Sequence, residues 1–168
     1  MTLEKDTEDE TNAMLSNCNR ILKKFNADGG NGQFAVYAQF SNDVQGGDSL
    51  FNRDIASELI KRGLLTQKLE PTSIRFLEKA DVNGLAMHDL YRVLKRQSDL
   101  FVHRYGMASH VREHNSKFLT NRYGEVKHYY APQVETAVIE ADIKKLIAEE
   151  FDEAKFERLL NPPREAFQ

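Results

Sequence analysis

A chain of 168 residues, 40% hydrophobic and 29% charged, is the size of one ordinary domain and apolar enough to bury a core without covalent staples. Its net charge of −3 hides a segregated pattern: residues 1–18 and 129–168 are acidic, while eight cations face four carboxylates between His88 and His128. Cys18 is the one cysteine, which excludes an internal disulfide and a zinc site built mainly of thiolates; no apolar run approaches the roughly 20 residues that cross a bilayer; and the N-terminus MTLEKDTEDE is acidic where a leader would be basic.

A cytoplasmic protein with no membrane partner is therefore expected. In chain order, Thr7-Glu8-Asp9-Glu10 reads as a capping box, and Met14, Cys18, Ile21, Leu22 and Phe25 recur at helical spacing up to Asp28-Gly29-Gly30-Asn31-Gly32. Cys18 lies on the apolar face and reads as a packing residue. Gln33–Phe40 alternates as a strand, with Phe34, Val36, Ala38 and Phe40 on one side. Asp48 or Ser49 then caps a helix over 50–62 that buries Phe51, Ile55, Leu59 and Ile60 and ends at Gly63.

Pro71 suits the start of a helix over 71–80, and Asp81-Val82-Asn83-Gly84 makes a turn. A helix over 85–97 points Met87, Leu90, Tyr91 and Leu94 inward and Arg92, Lys95 and Arg96 outward. A strand is expected over Leu100–Tyr105, a helix over Met107–Leu119, a turn at Asn121–Glu125 and a strand over Val126–Ala131. From Pro132 the pattern is helical to Glu150. Asp152 opens a last helix, with Phe151 and Phe156 as a hydrophobic staple across its cap, stopped by Asn161-Pro162-Pro163.

The expected fold class is α+β: a mostly helical single domain of about six helices with a small sheet of about three strands, organised as an acidic flexible segment 1–9, a core 10–131 and a C-terminal helical segment 132–168. Helices at 50–62, 71–80 and 85–97 followed by a strand suggest a winged-helix-like core with the third helix as reader.

The functional reading centres on the basic stretch. Arg92, Lys95, Arg96, Arg104, Arg112, Lys117, Arg122 and Lys127 are interleaved with Tyr105, Tyr123 and other aromatics, the mixture that phosphate backbones and unpaired bases require. Arg-Tyr-Gly occurs at 104–106 and again at 122–124, each time where a regular element gives way to a turn. The leading expectation is a non-enzymatic binding or assembly protein that presents residues 85–128 to an anionic partner, RNA or DNA first.

His110-Val111-Arg112-Glu113-His114 offers an enzymatic alternative. On the expected helix His110 and His114 stand one turn apart and can share a zinc ion, with Glu113 as general base on the metal-bound water. These five residues resemble the H-x-x-E-H signature of the inverted zinc peptidases, which implies a small metal-dependent hydrolase. Asp81-Val82-Asn83-Gly84 with Asp89 resembles the middle of a calcium loop, but Lys79 and Leu90 fall on its first and last ligand positions and supply no carboxylate. No Walker loop, dinucleotide fingerprint or nucleophile signature is present.

In the C-terminal segment, Val134, Val138, Ile139, Ala141, Ile143, Leu146 and Ile147 form a stripe wider than one packing seam needs. It suits docking on the chain's own core. It also allows self-association or a protein partner through 133–160, the adaptor alternative.

Overall fold

The computed structural model describes residues 3–27, 33–41, 43, 57, 59–61 and 74–161. Mixed helices and small sheets make it an α+β protein. Helix α1 (Leu3–Asn26) is the longest described element and the axis of the core. It already runs through Thr7, so that residue lies within the helix rather than at its cap, and the segment expected as an N-terminal extension is helical from Leu3.

Two clusters meet on α1. Leu15, with Met14 and Cys18 beside it, packs on Leu59, Ile74, Val36, Ala38, Phe40 and Phe76; further along, Ile21 and Phe25 pack on Leu119, Tyr130, Ile139 and Ile143. The apolar spacing in the sequence therefore identifies the packed face correctly. At the helix's last residue, buried Asn26 donates from Nδ2 to the Phe34 carbonyl at 2.9 Å and accepts from the Phe34 N–H at 3.2 Å, tying α1 to the chain after the glycine-rich segment.

The expected strand at 33–40 shortens to β1 (Tyr37–Gln39); exposed and half-buried positions alternate as anticipated over 33–38, and the alternation breaks at half-buried Gln39. It pairs in parallel with β2 (Arg75–Leu77), Tyr37 opposite Arg75 and Gln39 opposite Leu77. This corrects the helix expected over 71–80. Ile74, Leu77 and Ala80 have helical spacing, but Ile74 and Phe76, β-branched and aromatic, also suit one side of a half-buried strand, and the neighbouring β1 supplies the ladder. Without a helix there, the three-helix arrangement of a winged-helix core is not what residues 74–80 form. Residues 57 and 59–61 are helical, with Leu59 buried as expected and Ile60 exposed against expectation. The caps and apolar positions proposed at Asp48, Ser49, Phe51, Ile55, Gly63 and Pro71 lie outside the described residues.

The turn at 81–84 forms with Gly84 at φ 74°, a left-handed conformation that favours glycine. Helix α2 (Asp89–Arg96) starts later than the spacing suggests because His88 caps it, Nδ1 accepting from the Leu90 N–H at 3.2 Å. Leu85 is left fully exposed. Strands β3 (Phe101–Val102) and β4 (Met107–Ala108) form a minimal hairpin around a 3-10 turn at His103–Tyr105, closed by Gly106 at φ 62°.

The helix expected over 107–119 is absent. Residues 107–108 are strand, 109–116 are irregular, and β5 (Lys117–Thr120) begins the best-formed hairpin. Local spacing there is outbid by long-range bonds: the Ser109 N–H goes to the Leu100 carbonyl at 2.7 Å and the Val111 N–H to Asn83 Oδ1 at 2.8 Å. β5 pairs antiparallel with β6 (Val126–Tyr130), and since Leu119 faces His128 while Thr120 faces Val126, Lys127 is the extra residue of a bulge. The described strands make three two-stranded sheets, not one small sheet.

Helix α3 (Thr136–Ala148) lays Ile139 and Ile143 into the core, flanked by Val134, Leu146 and Ile147, and leaves Val138 and Ala141 outside. Glu140 binds it to α1 through Arg20 at 2.7 Å and through Lys24. Helix α4 (Glu153–Leu160) has the expected cap: Asp152 Oδ1 accepts from the Lys155 N–H at 2.9 Å, and the Phe151 and Phe156 rings lie 5.6 Å apart. No described helix is long and apolar enough to cross a membrane.

Candidate nucleic-acid interface

The basic residues expected to form one surface separate into two groups. Lys95 is the clearest correction. It follows Leu94 and stands one turn after Tyr91, which puts its stem on the inward stripe of α2, and it is only 2% exposed. Its Nζ donates to Asn83 Oδ1 at 3.0 Å and to the Val82 carbonyl at 3.3 Å. Asn83 in turn donates to the Val111 carbonyl at 2.9 Å and accepts from the Val111 N–H, while Asp43 accepts from the Val82 N–H at 2.9 Å. Burial pulls the Lys95 ammonium below the usual lysine range, with Asp43 opposing the shift. Sequence spacing alone could have placed Lys95 inside; the Asn83 and Asp43 partners had no such signal.

Lys117 is half-buried on β5, with its Nζ on the Asn115 carbonyl at 2.7 Å, and burial lowers its pKa. Arg122 reaches the Ile147 carbonyl at 3.3 Å and lies over the Phe151 ring. Tyr123 stacks on Phe151 with centroids 6.0 Å apart and planes at 8°, and its hydroxyl accepts from the Asp152 N–H at 2.6 Å. Lys127 pairs with Glu125 at 3.0 Å, and Lys155 reaches the same carboxylate at 2.7 Å. Hydrogen bonds from Lys155, Lys127 and Asn121 hold Glu125 down at about 2. Tyr123 and Lys155 fasten the start of α4 to the hairpin and Arg122 reaches the end of α3, while Lys117 and Lys127 bond to groups close to them in the chain; Arg122 and Lys127 are exposed all the same.

Arg92, Arg96, Arg104 and Arg112 are exposed, from α2 through the β3–β4 turn to the segment after β4. Arg92 is paired with Asp89 at 3.2 Å. No described carboxylate pairs with the other three. Tyr105 is 67% exposed, its ring 5.7 Å from the Arg104 guanidinium. Val102 and Met107 beside it are also exposed.

The zinc geometry depends on a helix that is not there. His110 lies in irregular chain and His114 in a turn, so the one-turn spacing that would converge their rings does not arise. Glu113 accepts from Gln133 Nε2. No group of three or more His, Cys, Asp or Glu side chains among the described residues could hold a metal ion. In the calcium-like segment, Asn83 is committed to Lys95 and Val111.

Cys18 is half-buried on α1 beside Met14, and burial raises its thiol pKa while Lys117 opposes. Around Asp142, Tyr130 Oη donates to Oδ2 at 3.0 Å, Lys145 Nζ to Oδ1 at 2.9 Å, and His128 Nε2 stands 4.0 Å away. This group braces β6 against α3.

No protein-family model matches the chain. A stretch of 70 residues, 42% of the chain, is 33% identical to a protein named glutathione peroxidase from Lactococcus lactis subsp. cremoris (strain MG1363) and covers 41% of that protein. The chain thus matches about two fifths of that curated relative's length.

Proposed function

We propose that this protein is a non-enzymatic binding protein that presents Arg96, Arg104 and Arg112, with Tyr105 among them, to an anionic partner, nucleic acid first. The observation that carries the reading is that these three exposed arginines have no carboxylate partner among the described residues, whereas the other cations of the basic stretch largely do structural work. Guanidinium groups held this way neutralise phosphates and release counterions. The test is binding to nonspecific RNA and DNA as a function of salt. Binding should weaken steeply with salt, and Arg96→Glu with Arg112→Glu should lower the slope by about one per charge removed. No binding at low ionic strength, or binding indifferent to salt, overturns the proposal. A winged-helix docking mode is not required by it.

The partial likeness to a glutathione peroxidase raises a second reading, reduction of peroxides. A cysteine doing that chemistry must be an accessible thiolate of low pKa, and Cys18 has the opposite character. A peroxide-consumption assay with glutathione as reductant separates the two readings: turnover at Cys18 favours the enzyme, and its absence with salt-dependent nucleic-acid binding favours the binder.

The adaptor reading through 133–160 draws on the apolar groups left outside the core, Val138 on α3 and Leu159 and Leu160 on α4. Sizing the full chain against one ending at Glu150 tests it, with loss of a larger species on truncation as the supporting result.

A further inference from the structure

The two Arg-Tyr-Gly tripeptides serve as internal controls for one another. Each ends in a glycine with left-handed backbone, Gly106 at φ 62° and Gly124 at φ 78°, so the turn is common to both. In the second copy Arg122 and Tyr123 are occupied by Ile147, Phe151 and Asp152. In the first, Tyr105 is 67% exposed and its ring contact is with Arg104. A Cβ placed on either Gly106 or Gly124 would meet no atom within 4 Å, so the two copies differ at their Arg and Tyr side chains and not at the glycine. Met107 next to it is 69% exposed.

An exposed aromatic ring with a guanidinium over one face offers its other face as a platform for a flat polarisable group attached to a negative charge, as in an unpaired base with its phosphate. A base inside a duplex is already stacked on its neighbours and gives that ring nothing. Duplex readout also needs a helix face or ribbon that enters a groove about 12 Å wide. Helix α2 turns Lys95 inward and pairs Arg92 with Asp89, and β3 and β4 are two residues each.

We infer that the tip of the β3–β4 hairpin is a binding site for single-stranded nucleic acid, in which Tyr105 stacks on one base, Arg104 takes the adjoining phosphate and Met107 packs against the sugar edge. This rests on the nucleic-acid reading above and specifies which form is bound and by which residue.

The experiment is fluorescence anisotropy of the full chain with labelled oligo-dT, oligo-U and a duplex of equal length, using the wild type, Tyr105→Ala and Tyr105→Phe. Both single strands should bind on the order of tenfold or more tighter than the duplex, Tyr105→Ala should lose about five- to a hundredfold on them, and Tyr105→Phe should stay within about twofold. The comparison of oligo-dT with oligo-U separates DNA from RNA preference. Equal affinity for duplex and single strands, or Tyr105→Ala binding like the wild type, overturns the single-strand site while the arginine surface stands. Equal loss in Tyr105→Phe and Tyr105→Ala overturns stacking as the mechanism. No binding by any form overturns both readings.

Discussion

Lys95 donates from Nζ to Asn83 Oδ1 at 3.0 Å, and both residues are buried. Through this pair, helix α2 is fastened to the 81–84 turn and, by the Asn83–Val111 bonds, to the segment after β4. The two partners are unequal. Removing Asn83 strands the Val111 N–H, the Val111 carbonyl and one bond of an ammonium, so Asn83→Ala should destabilise the fold by about 2–4 kcal/mol in denaturant melts. Lys95→Met leaves the Asn83–Val111 bonds intact and replaces a buried charge with an apolar group of similar reach. It should cost about 1 kcal/mol or less, or even stabilise.

The same pair sets a pH dependence. Lys95 sits below the usual lysine range in the folded protein, so the unfolded chain holds its proton more tightly. Its charge opposes folding at neutral pH, and that opposition is relieved as pH rises through the lowered value toward that of a free lysine. The stability difference between Lys95→Met and wild type should therefore shift in favour of wild type on moving from pH 7 to pH 10, measured by urea titration.

Glu125 gives a dependence of the same sign in an acidic window, since its pKa too is lower in the folded protein than in the unfolded chain. With its carboxyl held at about 2 by Lys155, Lys127 and Asn121, its contribution is complete above the ordinary glutamate range of about 4 to 5 and is lost as pH falls through about 2. Because Lys155 belongs to α4, acid should loosen that helix early. Amide exchange over 153–160 should accelerate between about pH 4 and pH 2 in the wild type, relative to amides of α3, and Glu125→Gln should show the faster exchange already at neutral pH.

Tyr130 is buried and its hydroxyl donates to Asp142, which is why burial first, and the neighbouring carboxylate second, push its pKa far up. Tyr130→Phe removes a hydrogen bond to a charged acceptor and leaves the ring in place. The expected loss is about 1.5–3 kcal/mol by thermal or chemical melt, with the β5–β6 hairpin retained.

Cys18 should behave as a packing residue. With burial raising its pKa, alkylation by iodoacetamide at pH 8 should be on the order of tenfold or more slower in the native protein than in urea. Equal rates would mean that the thiol is accessible and would revive the peroxide reading.

The parts of this fold that were legible in the sequence are those whose partners are close in the chain. The Asp152 cap, the Phe151–Phe156 staple and the Asn121–Glu125 turn all depend on neighbours within a few positions. The apolar face of α1 was legible for the same reason. What was missed depends on distant groups. Ile74–Leu77 becomes a strand because Tyr37–Gln39 is there to receive it, and residues 109–116 forgo a helix because Leu100 and Asn83 take their N–H groups.

The candidate site divides the same way. Composition marked out the arginines and Tyr105 but could not say which cations were spent inside. Tyr105 and Tyr123 lie in identical tripeptides, and only the presence of Phe151 opposite Tyr123 makes one a packing residue and leaves the other at the surface.

The parallel pairing of β1 with β2 bears on how the chain reaches this state. Antiparallel partners such as β5 and β6 need close only a short loop, whereas Tyr37 and Arg75 must be brought together across a long crossover before their bonds return anything. On refolding, amide protection is expected first in Lys117–Tyr130 and last in Tyr37–Gln39. Until that late step the apolar face of α1 around Leu15 has no sheet to cover it, and in a crowded solution that interval is when the chain is most prone to aggregate.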